Sequence, residues 1–209
     1  MPSIEFILIQ FGILVVSLSF HEAAHAWAAD KLGDPTARLL GRLTVNPLAH
    51  IDWIGTVLFP LVAMMSGIPL LGWAKPVPVD TSRLAHPRRD FALVAAAGPA
   101  SNLLLATVAA LIYSVAPLPD VDGARPILLA SEVIRFLVII NVMLAVFNMI
   151  PVPPLDGGNV LMGLVPERVA VAIGWLRPYG IFILYGLIFT GTLYSVMMPM
   201  VRTLLSVLL

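Results

Sequence analysis

Residues 54–71 read IGTVLFPLVAMMSGIPLL, an uncharged apolar run interrupted by Pro60, Gly67 and Pro69. A helix that crosses a bilayer needs about 20 predominantly apolar residues, so this run is short and broken for a crossing. Its reading decides the fold, because basic segments flank it on both sides. Residues 30–53 carry Lys31, Arg38 and Arg42, and residues 72–90 carry Lys75, Arg83, Arg88 and Arg89. Short cytoplasmic loops of membrane proteins are enriched in Lys and Arg. A crossing at 54–71 would place these two segments on opposite faces. A re-entrant hairpin or a half-helix packed against the bundle leaves both on the cytoplasmic face, and the charges favour that arrangement.

The rest of the chain supports lipid as its solvent. Of 209 residues, 59% are hydrophobic and 11% charged, and the mean hydropathy is +0.97. A soluble domain carries about 25% charged residues. Twelve basic and twelve acidic residues cancel, which excludes the basic stripe of a nucleic-acid binder and the high net charge of a disordered chain. There is no cysteine, so disulfides, thiolate metal sites and cysteine nucleophiles are excluded together, and any metal must be held by His, Asp or Glu. Four segments are long enough to span: about 4–29, 91–116, 127–150 and 178–208. The last is long enough to tilt or to bend at Pro199. The first lacks the basic start of a signal peptide and reads as an uncleaved helix. Segments 30–90 and 151–177 are then cytoplasmic and 117–126 external. Residues 38–46 and 73–80 look extended, Pro76 and Pro78 forbidding a helix in the second, and a small sheet at the membrane surface is expected there. The expected architecture is an α-helical polytopic membrane protein. It has four to six transmembrane helices, with a small membrane-associated β element between the first two core helices. Residues 1–209 form one domain, with a core over about 4–165 and a C-terminal helical region over about 178–208.

Inside the first helix stands His21-Glu22-Ala23-Ala24-His25. Residues four apart share a helix face, so both imidazoles can reach one metal ion while Glu22 sits beside it as a base for water. Ionisable residues at membrane depth are costly and face the bundle interior or a water-filled cavity. A catalytic zinc site takes three protein ligands. His50 and His86 lie in basic, aqueous segments and read as loop histidines, and Glu132 has Arg135 one turn on. Asp156 differs. It follows a proline-broken stretch, Asn148-Met149-Ile150-Pro151-Val152-Pro153-Pro154-Leu155-Asp156-Gly157-Gly158, and can serve both as a helix N-cap and as a ligand. His21 and His25 lie about 7–14 Å of helix rise before Asp30, at the cytoplasmic end of the first helix. Asp156 follows the C-terminal end of the third apolar helix. If 54–71 spans, these ends fall on opposite faces; if it is re-entrant, they meet. Charge bias and metal geometry converge on one topology.

At these residues the chain resembles the site-2 protease family of intramembrane zinc metalloproteases. The matching elements are His21-Glu22-x-x-His25, Gly98-Pro99-Ala100-Ser101-Asn102, and Asn148-x-x-Pro151-x-Pro153-x-Leu155-Asp156-Gly157. Asn46-Pro47-Leu48-Ala49-His50-Ile51-Asp52 and Gly72-Trp73-Ala74-Lys75-Pro76-Val77-Pro78-Val79 resemble a compact bacterial and archaeal branch. The resemblance covers roughly residues 8–165. It implies one Zn2+ per chain held by His21, His25 and Asp156, with Glu22 as general base taking a proton from the attacking water and returning it to the leaving amine. It implies Asn148 as a hydrogen-bonding contact to the substrate backbone or the developing oxyanion. Asn102 is either a similar contact or an interhelical hydrogen bond beside the close packing that Gly98 and Ala100 allow. It further implies a multi-pass protein of the cell membrane, cutting transmembrane protein substrates in or near their spans with its active site toward the cytoplasm, and no nucleic-acid partner. Many family members carry PDZ or CBS domains. This chain has room for neither, so substrate selection by such modules is not expected.

A helical substrate must be unwound before its peptide bonds can be attacked, and an edge strand at 38–46 or 73–80 would hold the unwound segment by strand addition. The rival class is a transporter or metal-ion carrier, since broken helices and buried His/Asp also mark transport sites. Glu22 argues against it, because a carrier has little need of a base beside two His ligands. A zinc peptidase of another kind would need a downstream glutamate ligand, and Glu132 and Glu167 have no supporting motif.

Overall fold

The computed structural model describes residues 4–66, 72–115 and 125–209. Of the expected topology, 67–71 of the hairpin and 117–124 of the external segment lie outside the described residues. Helices in chain order are α1 (Ile4–Lys31), α2 (Thr36–Leu39), α3 (Phe59–Ser66), α4 (Pro87–Val115), α5 (Arg125–Asn148), α6 (Asp156–Leu164), α7 (Glu167–Gly174), α8 (Gly180–Phe189) and α9 (Thr192–Leu208). A π-helical turn, Trp53–Leu58, leads directly into α3. Without water to satisfy backbone groups, a long apolar segment in lipid must bond internally, so these segments are helices. Among the described residues, four helical segments are long and apolar enough to cross a membrane: Ile4–Lys31, Pro87–Val115, Ala130–Asn148 and Glu167–Phe189, the last comprising α7 and α8.

The fourth crossing differs from the sequence expectation. Residues 178–208 do not form one long helix bent at Pro199. The chain breaks at Gly191, whose φ of +71° is left-handed, a conformation that ends helices and that glycine adopts without a Cβ clash. Pro199 stays inside α9.

Helix α4 is the centre of the bundle and packs against α1, α5 and α6. Small residues make the close approaches. Ala29 of α1 meets Val94 of α4 in one cluster, and Ala106, Ala109 and Ala110 of α4 meet Val138, Val142 and Val146 of α5 in another. Leu184 of α8 and Met197 and Val201 of α9 close the second cluster. With lipid outside, such packing rather than apolar burial holds the helices together. Arg88 ties the start of α4 to the end of α6 by donating to the carbonyls of Met162 and Val165.

Residues 50–56 and 73–75, on either side of the apolar stretch, are bonded to one another. The Trp73 N–H donates to the Gly55 carbonyl at 3.0 Å, and Thr56 Oγ1 donates to the Trp73 carbonyl at 2.8 Å. The Lys75 N–H donates to the His50 carbonyl at 2.9 Å. Asp52 caps the outgoing turn by accepting from the Ile54 and Gly55 N–H groups. Gly55 has no room for a side chain, since a Cβ there would enter the Trp73 indole. The chain therefore leaves and returns on one side, and the two basic flanks share a face.

The expected sheet is corrected. No strand occurs among the described residues. Residues 38–46 begin in α2 and turn at Gly41, φ +68°. Residues 73–80 are extended but have no partner strand, for a backbone reason. Pro76 and Pro78 carry no N–H, and four of the six remaining donors go to separate elements. Trp73 bonds Gly55, Lys75 bonds His50, Val77 bonds Glu22 Oε2 and Asp80 bonds Asp34 Oδ2. The segment is a strap clamped along its length. At its far end Asp34, fully buried, also accepts from the Thr36 N–H and hydroxyl.

Candidate metal centre

Helix α1 presents His21 and His25 one turn apart, with ring centroids 4.6 Å apart and planes at 85°. Their Nε2 atoms lie 3.0 Å from each other. Asp156, the first residue of α6, brings Oδ2 to 3.0 Å from His21 Nε2 and 3.4 Å from His25 Nε2. Asp156 reaches this point because the proline-broken link after α5 folds back tightly. A Cβ on Gly157 would meet the backbone of Met149, and one on Gly158 the backbone of Pro153. Gly98 of α4 does the same from the other side, since a Cβ there would strike the imidazoles of His21 and His25.

These three residues fit a zinc ion. Tetrahedral ligands with bonds of ~2.0–2.1 Å to zinc stand ~3.3 Å apart, close to the observed spacings. The His25 Nδ1 faces the Val94 carbonyl at 2.7 Å. A carbonyl only accepts, so Nδ1 carries the proton and Nε2 presents a lone pair. The His21 Nδ1 faces Asn102 Oδ1 at 2.6 Å. Asp156 Oδ2 is buried with no hydrogen-bond partner. Bare nitrogens and a partnerless carboxylate oxygen meeting in a buried spot form a donor set that calls for a cation. Among the described residues this is the group of three converging ligand side chains, and Glu132 and Glu167 are not in it.

Glu22 is 9% exposed, and its Oε2 accepts the Val77 N–H at 2.9 Å. That bond occupies one of its two carboxylate oxygens. Glu22, His21, His25 and Asp156 line one cleft of about 480 Å³. The remaining wall is mostly apolar: the strap from Trp73 to Val79 on one side, Leu144 and Phe147 of α5 on the other. Asn148 also lines the cleft, and its side-chain NH2 donates to the Leu144 carbonyl at 2.9 Å. Asn102 is fully buried and reaches the site through His21 rather than lining the cleft.

His50, expected as a loop histidine, is 2% exposed and donates from Nε2 to the Thr44 carbonyl at 2.8 Å; it takes no part in the cluster. The sequence reading did not single out Asn141 and Ser17. Both are fully buried, and both connect to Asn102. The available signal is an asparagine within the uncharged apolar run 136–147 of α5, where a polar side chain needs a partner.

Comparison with known proteins finds relatives that are zinc metalloproteases by name. A model described as Peptidase family M50 matches residues 123–174, the part that holds Asn148 and Asp156. Over 194 residues the chain is 37% identical to the protein of Bacillus subtilis (strain 168) named "Putative zinc metalloprotease YwhC", covering 90% of this chain and 84% of that one. It is 31% identical over 189 residues to "Putative zinc metalloprotease Rip2" of Mycolicibacterium smegmatis, covering 90% of this chain and 69% of that one. No solved structure matches.

Proposed function

Since the chain belongs to peptidase family M50, the site-2 proteases, and is a zinc metalloprotease, we propose that it hydrolyses peptide bonds in or near the transmembrane segments of other membrane proteins. The observation that carries this reading is the meeting of His21, His25, Asp156 and Glu22 in one cleft among helices apolar enough to span a bilayer. In this reading His21, His25 and Asp156 hold one zinc ion. When bound, zinc acidifies water toward a pKa of ~7 and polarises a peptide carbonyl. Glu22 takes the proton from the attacking water and returns it to the leaving amine. The Val77 N–H holds Glu22 Oε2 through both transfers, so the working oxygen stays aimed at the cleft. Asn148 contacts the backbone of the unwound substrate, and Asn102 acts on His21.

The protein is read as a multi-pass protein of the cell membrane with this cleft toward the cytoplasm, and residues 1–209 as one catalytic domain. Three features support that orientation. The hairpin ends bond to each other, which puts the basic segments on one face. Lys31, Arg38, Arg42, Lys75, Arg83, Arg88 and Arg89 all lie there, as cytoplasmic loops require. All four tryptophans, Trp27, Trp53, Trp73 and Trp175, lie in or beside the segments assigned to that face, where the interface collects aromatic residues. The partners are transmembrane proteins and the bilayer.

The test is cleavage of candidate membrane proteins by the purified chain in detergent or vesicles. Activity should vanish on chelation and return with zinc. Glu22→Gln should abolish cleavage while one zinc per chain is retained; cleavage by Glu22→Gln would remove the protease reading.

A further inference from the structure

A buried polar chain runs from the metal site through three helices. His21 Nδ1 of α1 meets Asn102 Oδ1 of α4 at 2.6 Å. Asn102 Nδ2 donates to Asn141 Oδ1 of α5 at 2.8 Å and, more weakly, to the Ser17 carbonyl at 3.4 Å. Asn141 Nδ2 donates to Ser17 Oγ and to the Leu137 carbonyl, both at 2.9 Å. Ser17, Asn102 and Asn141 are fully buried and His21 is 4% exposed. Four buried polar side chains, drawn from three apolar helices, are costly unless every group is matched.

The matching has a direction. An amide side chain can be turned end for end, exchanging its donor and acceptor. The carbonyl of Leu137 removes that freedom, because it accepts only. It requires the NH2 end of Asn141, which turns Asn141 Oδ1 toward Asn102. That in turn requires the NH2 end of Asn102, an orientation that the Ser17 carbonyl also favours, and turns Asn102 Oδ1 toward His21. His21 Nδ1 must then carry the proton, and its Nε2 faces Asp156 and His25 as a bare lone pair. His25 receives the same instruction in one step from the Val94 carbonyl. His21 has no backbone carbonyl so placed and receives it through two amides.

We propose that Asn141, supported by Ser17, is a positioning residue for the metal centre: it transmits the polarity of the α5 backbone through Asn102 and holds His21 in the tautomer that binds zinc. Asn141 touches neither the cleft nor the metal ligands. Removing it leaves only the weak contact with the Ser17 carbonyl to orient the Asn102 amide, and each amide that reverses presents a donor to His21 Nδ1 and drives the proton to Nε2. This inference rests on His21 being a zinc ligand.

The experiment measures zinc affinity in detergent micelles by competition with a chelator of known strength, alongside 15N spectra of histidine-labelled apoprotein. Wild type should hold one zinc and His21→Ala should lose it; retention by His21→Ala would defeat the ligand assignment itself. Asn141→Leu keeps side-chain bulk and should weaken zinc by about 10-fold or more, the usual effect of losing an outer partner of a metal ligand. In its apoprotein the His21 ring should become a mixture of tautomers, while His25, held by Val94, keeps its proton on Nδ1. That contrast separates positioning from general loosening, which would disturb both rings. Zinc affinity within about 2-fold of wild type with an unchanged His21 signal overturns the proposal. If Asn141→Leu does not fold, Ser17→Ala removes one of the two partners to which Asn141 Nδ2 donates and so weakens its hold. It should show a smaller loss in the same direction, and an unchanged affinity and His21 tautomer there overturn the proposal equally.

Discussion

The backbone N–H of Trp73 donates to the carbonyl of Gly55 at 3.0 Å, which closes an apolar excursion of the chain onto its own starting point. The consequence reaches the metal centre. With both basic flanks on one face, the end of α1 and the start of α6 share that face, and His21, His25 and Asp156 can meet. Because the chain has no cysteine, this is directly testable. Leu40 and Ala85 are exposed, one on each side of the excursion. Single Leu40→Cys and Ala85→Cys variants should react with a membrane-impermeant maleimide from the same face of sealed vesicles. Labelling from opposite faces would mean that 54–71 crosses.

Gly98 supplies the second prediction. A Cβ at this position would strike the imidazoles of both His21 and His25, and those rings are held from behind by Asn102 and Val94. They cannot retreat without losing those bonds. Gly98→Ala should therefore cost about 1–3 kcal/mol, the usual penalty of overpacking, and should lower zinc occupancy more than helical content. Metal analysis and circular dichroism on one preparation check this. Full zinc loading with wild-type cleavage would show that the site relaxes freely.

Much of this was legible before any coordinates, and the rest was hidden for identifiable reasons. His21, Glu22 and His25 announce themselves because helical spacing alone puts them together, and Asp156 because prolines break its segment. The hairpin was readable from charge, since Arg42 and Lys75 on opposite faces would violate the cytoplasmic bias. The strap was misread as a strand. Extended backbone was correctly inferred from Pro76 and Pro78, but pairing depends on where the remaining N–H groups go, and Val77 and Asp80 give theirs to carboxylates 55 and 46 residues away in sequence. Residues 178–208, expected to tilt or to bend at Pro199, break instead at Gly191, because a proline removes one donor from a helix while a left-handed glycine redirects the chain. Asn141 stands out in its apolar surroundings as a group in need of a partner, but which partner it has is set only when α4 and α5 pack.

The Asp34 carboxylate anchors the far end of the strap. It is fully buried and accepts from the Thr36 N–H, the Thr36 hydroxyl and the Asp80 N–H. Asp34→Ala strands these donors in the interior. Hydrogen bonds to a charged group contribute about 1.5–3 kcal/mol each and are not additive, so a loss of about 3 kcal/mol is expected. Thermal unfolding in micelles should show a clearly lowered Tm. A variant as stable as wild type would mean that the strap is held elsewhere.

Val77 is the one residue between two prolines, and its N–H is the only backbone donor in the three-residue run Pro76-Val77-Pro78. That donor is spent on Glu22 Oε2 at 2.9 Å. In the proposed mechanism this bond fixes which carboxylate oxygen is left for water, so losing it should slow proton transfer without disturbing metal binding. Val77→Pro removes the N–H from a segment already extended, whereas Val77→Ala retains it and trims only the side chain. A hydrogen bond to a charged acceptor is worth about 1.5–3 kcal/mol, so kcat should fall by about 10- to 100-fold in Val77→Pro, with zinc content unchanged. In Val77→Ala, kcat should stay within a few-fold of wild type, and any loss should fall on KM, because the Val77 side chain helps to line the cleft. Equal kcat values in the two variants would show that the amide does not hold the base. A loss of zinc in Val77→Pro would show instead that the strap supports the metal ligands rather than Glu22.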